Sequence, residues 1–171
     1  MFKTVSFIIA ISLAFVAVSC LDSAVETEQR TPEIEAAELS QILNNIIADG
    51  FDIDTTDLGV YYVIHEVGPD SLPRTQAGDT CYLEYSGYLL DGTEFDNSSD
   101  HFVDGIWEFI YLDIQLIPGF DDGIALMNKG TEIDLIIPSE LAYGAYGSGI
   151  IAPYTTIMFS AKMHDLKPKA D

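Results

Sequence analysis

Covalent and proton-transfer chemistry needs side chains that exchange protons, attack carbon or hold a metal. This chain offers few of them in a working arrangement. The three histidines, His65, His101 and His164, are scattered and form no i, i+4 pair that could clasp a metal from one helix face. There is no G-x-S-x-G elbow and no Cys–His signature, so no nucleophile has an activating base beside it. Phosphate-cradling and dinucleotide-binding glycine patterns are absent as well. The stretch "FDIDTTDLG" places Asp52, Asp54 and Asp57 like the start of a calcium loop, but the register fails. Its sixth position is Asp57 where glycine is needed, and its twelfth is Val63 where glutamate is needed. The expectation is a protein with no metal and no cofactor.

What remains is apolar. "LAYGAYGSGIIAPYTTIMF", Leu141 to Phe159, carries four glycine or proline residues and so reads as a loop leading into a strand. Loops usually face water, yet this one bears Tyr143, Tyr146 and the pair Ile150–Ile151. Aromatic and branched residues crowd other segments too: Tyr85, Phe95, Trp107, Phe109, Ile117, Phe120 and Phe159. Most would be core in any sheet. Those beside glycine or proline in loops point instead to an apolar rim of the kind that marks a binding cleft.

The elements that must position these residues follow from periodicity. Thr31-Pro32-Glu33 is a helix start, with a capping hydroxyl, proline in the first turn and an acid at the positive end of the dipole. Ile34, Leu39, Ile42, Leu43, Ile46 and Ile47 recur at helical spacing until Asp49-Gly50 stops the run. This helix either docks on the domain or serves as a dimerisation arm. "GVYYVIHEVG" is a β-branched strand, and "GPDSLPRTQAGD" is a turn-rich connector. "TCYLEYSGYLL" and "TEFDNS" flank Asp91-Gly92, a two-residue hairpin signal. "WEFIYL", "TEIDLIIP" and "TTIMFSAKMHDL" are further strands, and Pro118-Gly119-Phe120 opens a short helix, "FDDGIALMN". The pattern predicts an α+β fold, a five- to six-stranded antiparallel sheet around one short helix with an N-terminal helical extension.

The ends and the charge bound the setting. Residues 1–19 begin with Lys3, continue as an uncharged apolar run from Val5 to Val18, and end in small residues before Cys20. That is a secretory signal, too short for a transmembrane helix. "AFVAVSC" also resembles a bacterial lipoprotein signal, which makes Cys20 the expected site of lipidation; ordinary cleavage after Ser19 is the alternative. With Cys20 lipidated, Cys81 stands alone, and "DTCYLEY" reads as a strand with a buried thiol. Residues 20–31 are a polar tether, and 32–76 hold the helix, the first strand and the connector. Seven basic residues against 28 acidic ones leave a net charge of −21. Such a surface repels phosphate backbones, so nucleic acid is not an expected partner.

With these motifs in order, "GDTCYLEYSGYLLDGTEFDNS" followed by "LIPGFDDGIALMNKGTEIDLIIPSELAYGAYGSGIIAPYTTIMFSAKMHDL" resembles the FKBP-type peptidyl-prolyl cis–trans isomerases. The similarity runs from Ala77 to about Lys167, within a domain spanning 77–171. The family fold is a twisted antiparallel sheet over one short helix, with a proline pocket between them. Matched residue by residue, the resemblance implies a site of Tyr85, Phe95, Asp96, Ile117, Phe120, Tyr143 and Phe159. Trp107, Leu116, Ile150 and Ile151 would also line it. Phe120 would be the floor, while the Ile117 N–H and the Tyr143 hydroxyl would hold substrate carbonyls. Asp96 has two readings: a charge that shapes the pocket's field, or a local hydrogen-bond partner, for instance of Tyr85. The implied partners are proline-containing polypeptide clients, and macrolide inhibitors are ligands the family suggests. Against the family pattern, Phe120 replaces a common tryptophan, the loop after Tyr143 is shorter with Ser148 where some relatives have histidine, and the basic residue after the F-D strand has no clear counterpart. The expected role is an isomerase exported to the bacterial cell envelope and lipid-anchored to a membrane, at the outer membrane or periplasmic face. A non-catalytic module that holds one proline-containing partner is the rival reading, and a holdase the weaker third.

Overall fold

The structure is a computed structural model and describes residues 30–170. The apolar leader, Cys20 and the tether as far as residue 29 lie outside the described residues. Two helices and seven strands follow in chain order: α1 (Pro32–Ala48), β1 (Asp54–Thr55), β2 (Tyr61–Glu66), β3 (Thr80–Leu89), β4 (Glu94–Asn97), β5 (Trp107–Ile110), α2 (Pro118–Ala125), β6 (Glu132–Ile137) and β7 (Ile157–Lys167). The strands form one antiparallel sheet in the order β1-β2-β6-β7-β3-β4, with β5 also paired to β3.

One strand exceeds the number read from the sequence. Asp54 and Thr55 pair with Tyr62 and Tyr61, a two-residue strand too short to show alternation. The hairpin after β3 also differs. Gly92 donates to the Leu89 carbonyl and Leu89 to the Thr93 carbonyl, so three residues turn the chain and Gly92 takes φ +87°. That is a three-residue hairpin loop closed by a left-handed glycine. The strand at Trp107 stops at Ile110, because Leu112 adopts φ +65° and leaves the extended region.

Alternation decides which face is buried. Cys81, Leu83 and Tyr85 of β3, Ile133, Leu135 and Ile137 of β6, and Ile157, Phe159, Ala161 and Met163 of β7 all point into one core. The Cys81 thiol is fully buried, and that burial pushes its pKa up to about 12, so it is an inert core group. Helix α2 lies on the same face. Its two glycines allow it to lie flush. A Cβ on Gly119 would come 2.3 Å from Ile137 Cγ2, and one on Gly123 would come 2.2 Å from Leu135 Cδ1. The close approach lowers Phe120, next to Gly119, onto the sheet.

The outer edge of β3 is shared. Its first half pairs with β5 and its second half with β4. The chain between β4 and β5 therefore leaves the sheet, through 3₁₀ turns at Ser98–Asp100 and Val103–Gly105, and returns as Trp107. Ser98 anchors this excursion, accepting the Tyr85 N–H at 3.1 Å and donating to the Gly105 carbonyl at 2.6 Å.

Helix α1 starts as read, with Thr31 accepting the Ile34 N–H and Pro32 in the first turn. It docks on the domain through the segment between β6 and β7. Among the described residues no helix is long and apolar enough to cross a membrane.

Candidate functional site

Between α2, the middle of β3 and the segment after β6 lies an open cleft of about 490 Å³. Phe120, in the first turn of α2, forms its floor and is 4% exposed. The Phe120 ring centre lies 4.5 Å from that of Phe159 on β7 and 5.9 Å from that of Tyr85 on β3. Tyr85 sets its edge against Trp107 and Phe159 as well, at 5.8 and 6.0 Å. These are edge-on and tilted contacts in the favoured range for aromatic pairs, and they make a rigid wall. Trp107, the first residue of β5, stacks on Phe109 at 4.2 Å and on Phe102 at 5.8 Å, which fixes its ring beside the opening.

The mouth is formed by the segments that flank α2 and follow β6. Leu116 and Ile117 precede the helix, Ile117 serving as its extended N-terminal cap residue with its carbonyl accepting from Phe120 and Asp121. Tyr143 lies opposite, after the 3₁₀ turn Ser139–Leu141. Burial raises the pKa of Tyr143, with Asp96 as a lesser cause, and burial raises that of Tyr85 well past the ordinary tyrosine value, again with Asp96 contributing. Both phenols therefore remain protonated hydrogen-bond donors throughout the neutral range.

Asp96 is the one carboxylate at the edge. Its Oδ2 accepts the Tyr85 hydroxyl at 3.2 Å, and its Oδ1 accepts the Asn97 N–H at 3.0 Å and lies 2.8 Å from His101 Nε2. His101 had no role in the sequence reading. Its signal was there, five residues past Asp96 in a stretch that departs from the family pattern, but only the turn at Ser98–Asp100 shows that it folds back. Gln115, Pro118 and Ala142 also line the cleft without having been singled out; each neighbours a residue that was.

The other three residues named from the sequence sit elsewhere. Phe95 lies behind the wall, 5.5 Å edge-on to Phe159. The absent side chain of Gly87 lets these rings meet, since a Cβ there would lie 2.7 Å from Phe95. The isoleucine pair is divided and lines no part of the cleft. Ser148 and Ile151 exchange two backbone hydrogen bonds of 2.8 Å, a tight hairpin with Gly149 at φ +57°. Ile150 stands at its tip, 62% exposed, beside Arg30 and Leu89, whereas Ile151 turns into the core at 5%. A two-residue turn sends neighbours to opposite sides, which adjacency in sequence does not reveal.

The arrangement is an aromatic cup with tyrosine hydroxyls and one carboxylate at its rim, built on a sheet wrapped over a short helix. The FKBP-type peptidyl-prolyl cis-trans isomerase family model matches residues 73–164, and the chain belongs to that family. Similar proteins include the FKBP-type peptidyl-prolyl cis-trans isomerase FkpA of Escherichia coli, 39% identical over 121 residues, which make up 70% of this chain and 43% of that one. FkpA of Aeromonas hydrophila is 32% identical over 149 residues, 86% of this chain and 50% of that one. The chain thus spans half or less of the length of these relatives. The crystal structure of E. coli FkpA superposes with a TM-score of 0.64 at 30% identity, covering 81% of this chain and 63% of that one. A peptidyl-prolyl cis-trans isomerase from Pseudomonas syringae gives 0.66 at 25% identity, covering 82% of this chain and 98% of that one.

Proposed function

We propose that this protein is a peptidyl-prolyl cis–trans isomerase that assists the folding of exported polypeptides. The observation that carries the reading is the cleft itself, with Phe120 beneath, Tyr85, Trp107 and Phe159 around it, and Tyr143 at the rim. Rotating a peptide bond costs about 18–20 kcal/mol because resonance is lost, and an X-Pro bond takes roughly 10–100 s to turn unaided. The twisted amide is less charge-separated than the planar one, so an apolar, water-poor cup favours it. Tenfold in rate requires only about 1.36 kcal/mol. In this reading the proline ring rests on Phe120, the Tyr143 hydroxyl and the Ile117 N–H hold flanking carbonyls, and Asp96 steadies Tyr85.

A protease-coupled assay on a proline tetrapeptide, run with the chain from Cys20 onward, tests it. Wild type should exceed the Phe120→Ala, Tyr143→Ala double variant by at least about a hundredfold in kcat/KM, roughly 2.7 kcal/mol of transition-state binding. Equal rates would leave a binding module that holds a proline-containing segment without turning it over.

We also propose that the protein works in the bacterial envelope as a membrane-tethered lipoprotein, on the strength of the Val5–Val18 apolar run ending at Cys20. A net charge of −21 repels anionic lipid headgroups, so the domain would stand off the surface on its tether. Mass spectrometry of the native N-terminus should find a cysteine carrying acyl chains; an unmodified Cys20 ends the proposal.

A further inference from the structure

Helix α1 lies outside the cleft and outside residues 73–164, yet it grips the segment that carries Tyr143. The helix presents Ile34, Leu39, Ile42, Leu43, Ile46 and Ile47, but its one buried residue is Glu35, 8% exposed. Glu35 Oε1 accepts the Ser139 N–H at 2.6 Å and the Thr156 hydroxyl at 2.8 Å, and Oε2 accepts the Ser139 hydroxyl at 2.6 Å. Ser139 and Thr156 are themselves buried, and they open and close the connection between β6 and β7. Beside these contacts lies an open depression of about 460 Å³ that reaches from Leu39 and Tyr61 to Tyr154. Hydrogen bonds, more than close apolar packing, therefore join helix and loop here. Three hydrogen bonds thus satisfy both oxygens of this buried side chain.

From Ser139 the constraint passes directly to the site. The Ser139 carbonyl accepts the N–H groups of Ala142 at 2.9 Å and Gly144 at 2.8 Å, the two residues on either side of Tyr143. A second tie lies beyond Tyr143. Arg30, paired with Glu38, donates from Nη2 to the Tyr154 carbonyl at 3.0 Å, and the Tyr154 N–H donates to the Gly144 carbonyl at 2.9 Å. Tyr154 takes φ +51°, a left-handed conformation that a tyrosine adopts only when held.

We propose that Glu35 is a positioning residue for the isomerase site: through Ser139 it fixes the backbone on both sides of Tyr143. The proposal rests on the isomerase reading above, in which the Tyr143 hydroxyl holds a substrate carbonyl. A double-mutant cycle on the full chain tests it, with kcat/KM from the coupled assay and a thermal melt to show that each variant is folded at assay temperature. Glu35→Ala should lower kcat/KM about tenfold in the wild-type background and less than about twofold in Tyr143→Phe, because coupled residues lose their effect together. Glu35→Gln keeps an acceptor for the Ser139 N–H and should recover most of the rate. A residue with a merely structural role would cost the same with or without the Tyr143 hydroxyl. Equal losses in the two backgrounds, or a folded Glu35→Ala variant with wild-type kcat/KM, would overturn the proposal. If Glu35→Ala does not fold, Ser139→Ala enters the same cycle with an expected loss of about threefold that vanishes in Tyr143→Phe, and the same two outcomes decide. A wild type that turns over no peptide removes the isomerase reading but not the test. The cycle is then read on peptide affinity, where additive weakening rules Glu35 out.

Discussion

Phe120→Ala should lose at least tenfold in kcat/KM and unfold at a much lower temperature. Both effects have one origin. The ring is 4% exposed and touches Tyr85 and Phe159, so truncation leaves a hole under the cleft that those rings cannot fill without leaving their edge-on contacts. Buried phenylalanine-to-alanine changes cost about 3–5 kcal/mol, which for a domain of this size lowers the melting temperature by roughly 10–20 °C. Activity falls because the floor is gone: water enters, and the advantage of an apolar surface for the twisted amide disappears. Phe120→Leu separates the two effects. Leucine restores most of the volume, so the melt should return to within about 6 °C of wild type, while the flat base is still lost and kcat/KM stays at least about threefold low. Melting curves with the coupled assay check both, and a folded Phe120→Ala variant with full activity would remove Phe120 from the site.

The second large effect concerns Asp96. Asp96→Ala should reduce kcat/KM about ten- to a hundredfold, and Asp96→Asn should retain several-fold more activity than Asp96→Ala. Alanine strips the Tyr85 hydroxyl of its partner in a wall where Tyr85 is 8% exposed. An unsatisfied buried polar group costs about 1–3 kcal/mol, and the ring that carries it moves against Phe120. Asparagine keeps an oxygen for that hydroxyl while removing the charge. Of the two sequence readings for Asp96, the bonds to Tyr85, Asn97 and His101 favour the local one; identical rates for the two variants would favour the field. The pH profile follows from the same geometry. Tyr85 and Tyr143 have raised pKa values, so their protons leave only above the ordinary tyrosine range. The wild-type rate should therefore stay level from about pH 7 to 10, and a decline centred below pH 9 would contradict that.

Much of this was legible in the residues themselves. Alternation along β3, β6 and β7 told which side chains face inward, because a pleated strand exposes every second position to one side. Pro118-Gly119 marked the start of α2, and the aromatic residues around it marked a cup. The arrangement at Asp96 was half legible, since Tyr85 was a candidate partner and His101 was not. Helical spacing of isoleucines and leucines left α1 as either a docked helix or a dimerisation arm, and it did not show that its one buried residue is a glutamate. Ile150 and Ile151 read as a wall and are parted by a hairpin.

The division has a physical cause. Periodicity, capping and turn chemistry are interactions among residues a few positions apart, so sequence order displays them, and they were enough to place the main strands and both helices. Glu35 meets Ser139 and Thr156 across 104 and 121 residues. No local pattern encodes such a meeting, because which hydroxyl a buried carboxylate finds depends on where two distant pieces of chain cross. Only the tertiary structure decided that a helix remote from the cleft would set the loop bearing Tyr143.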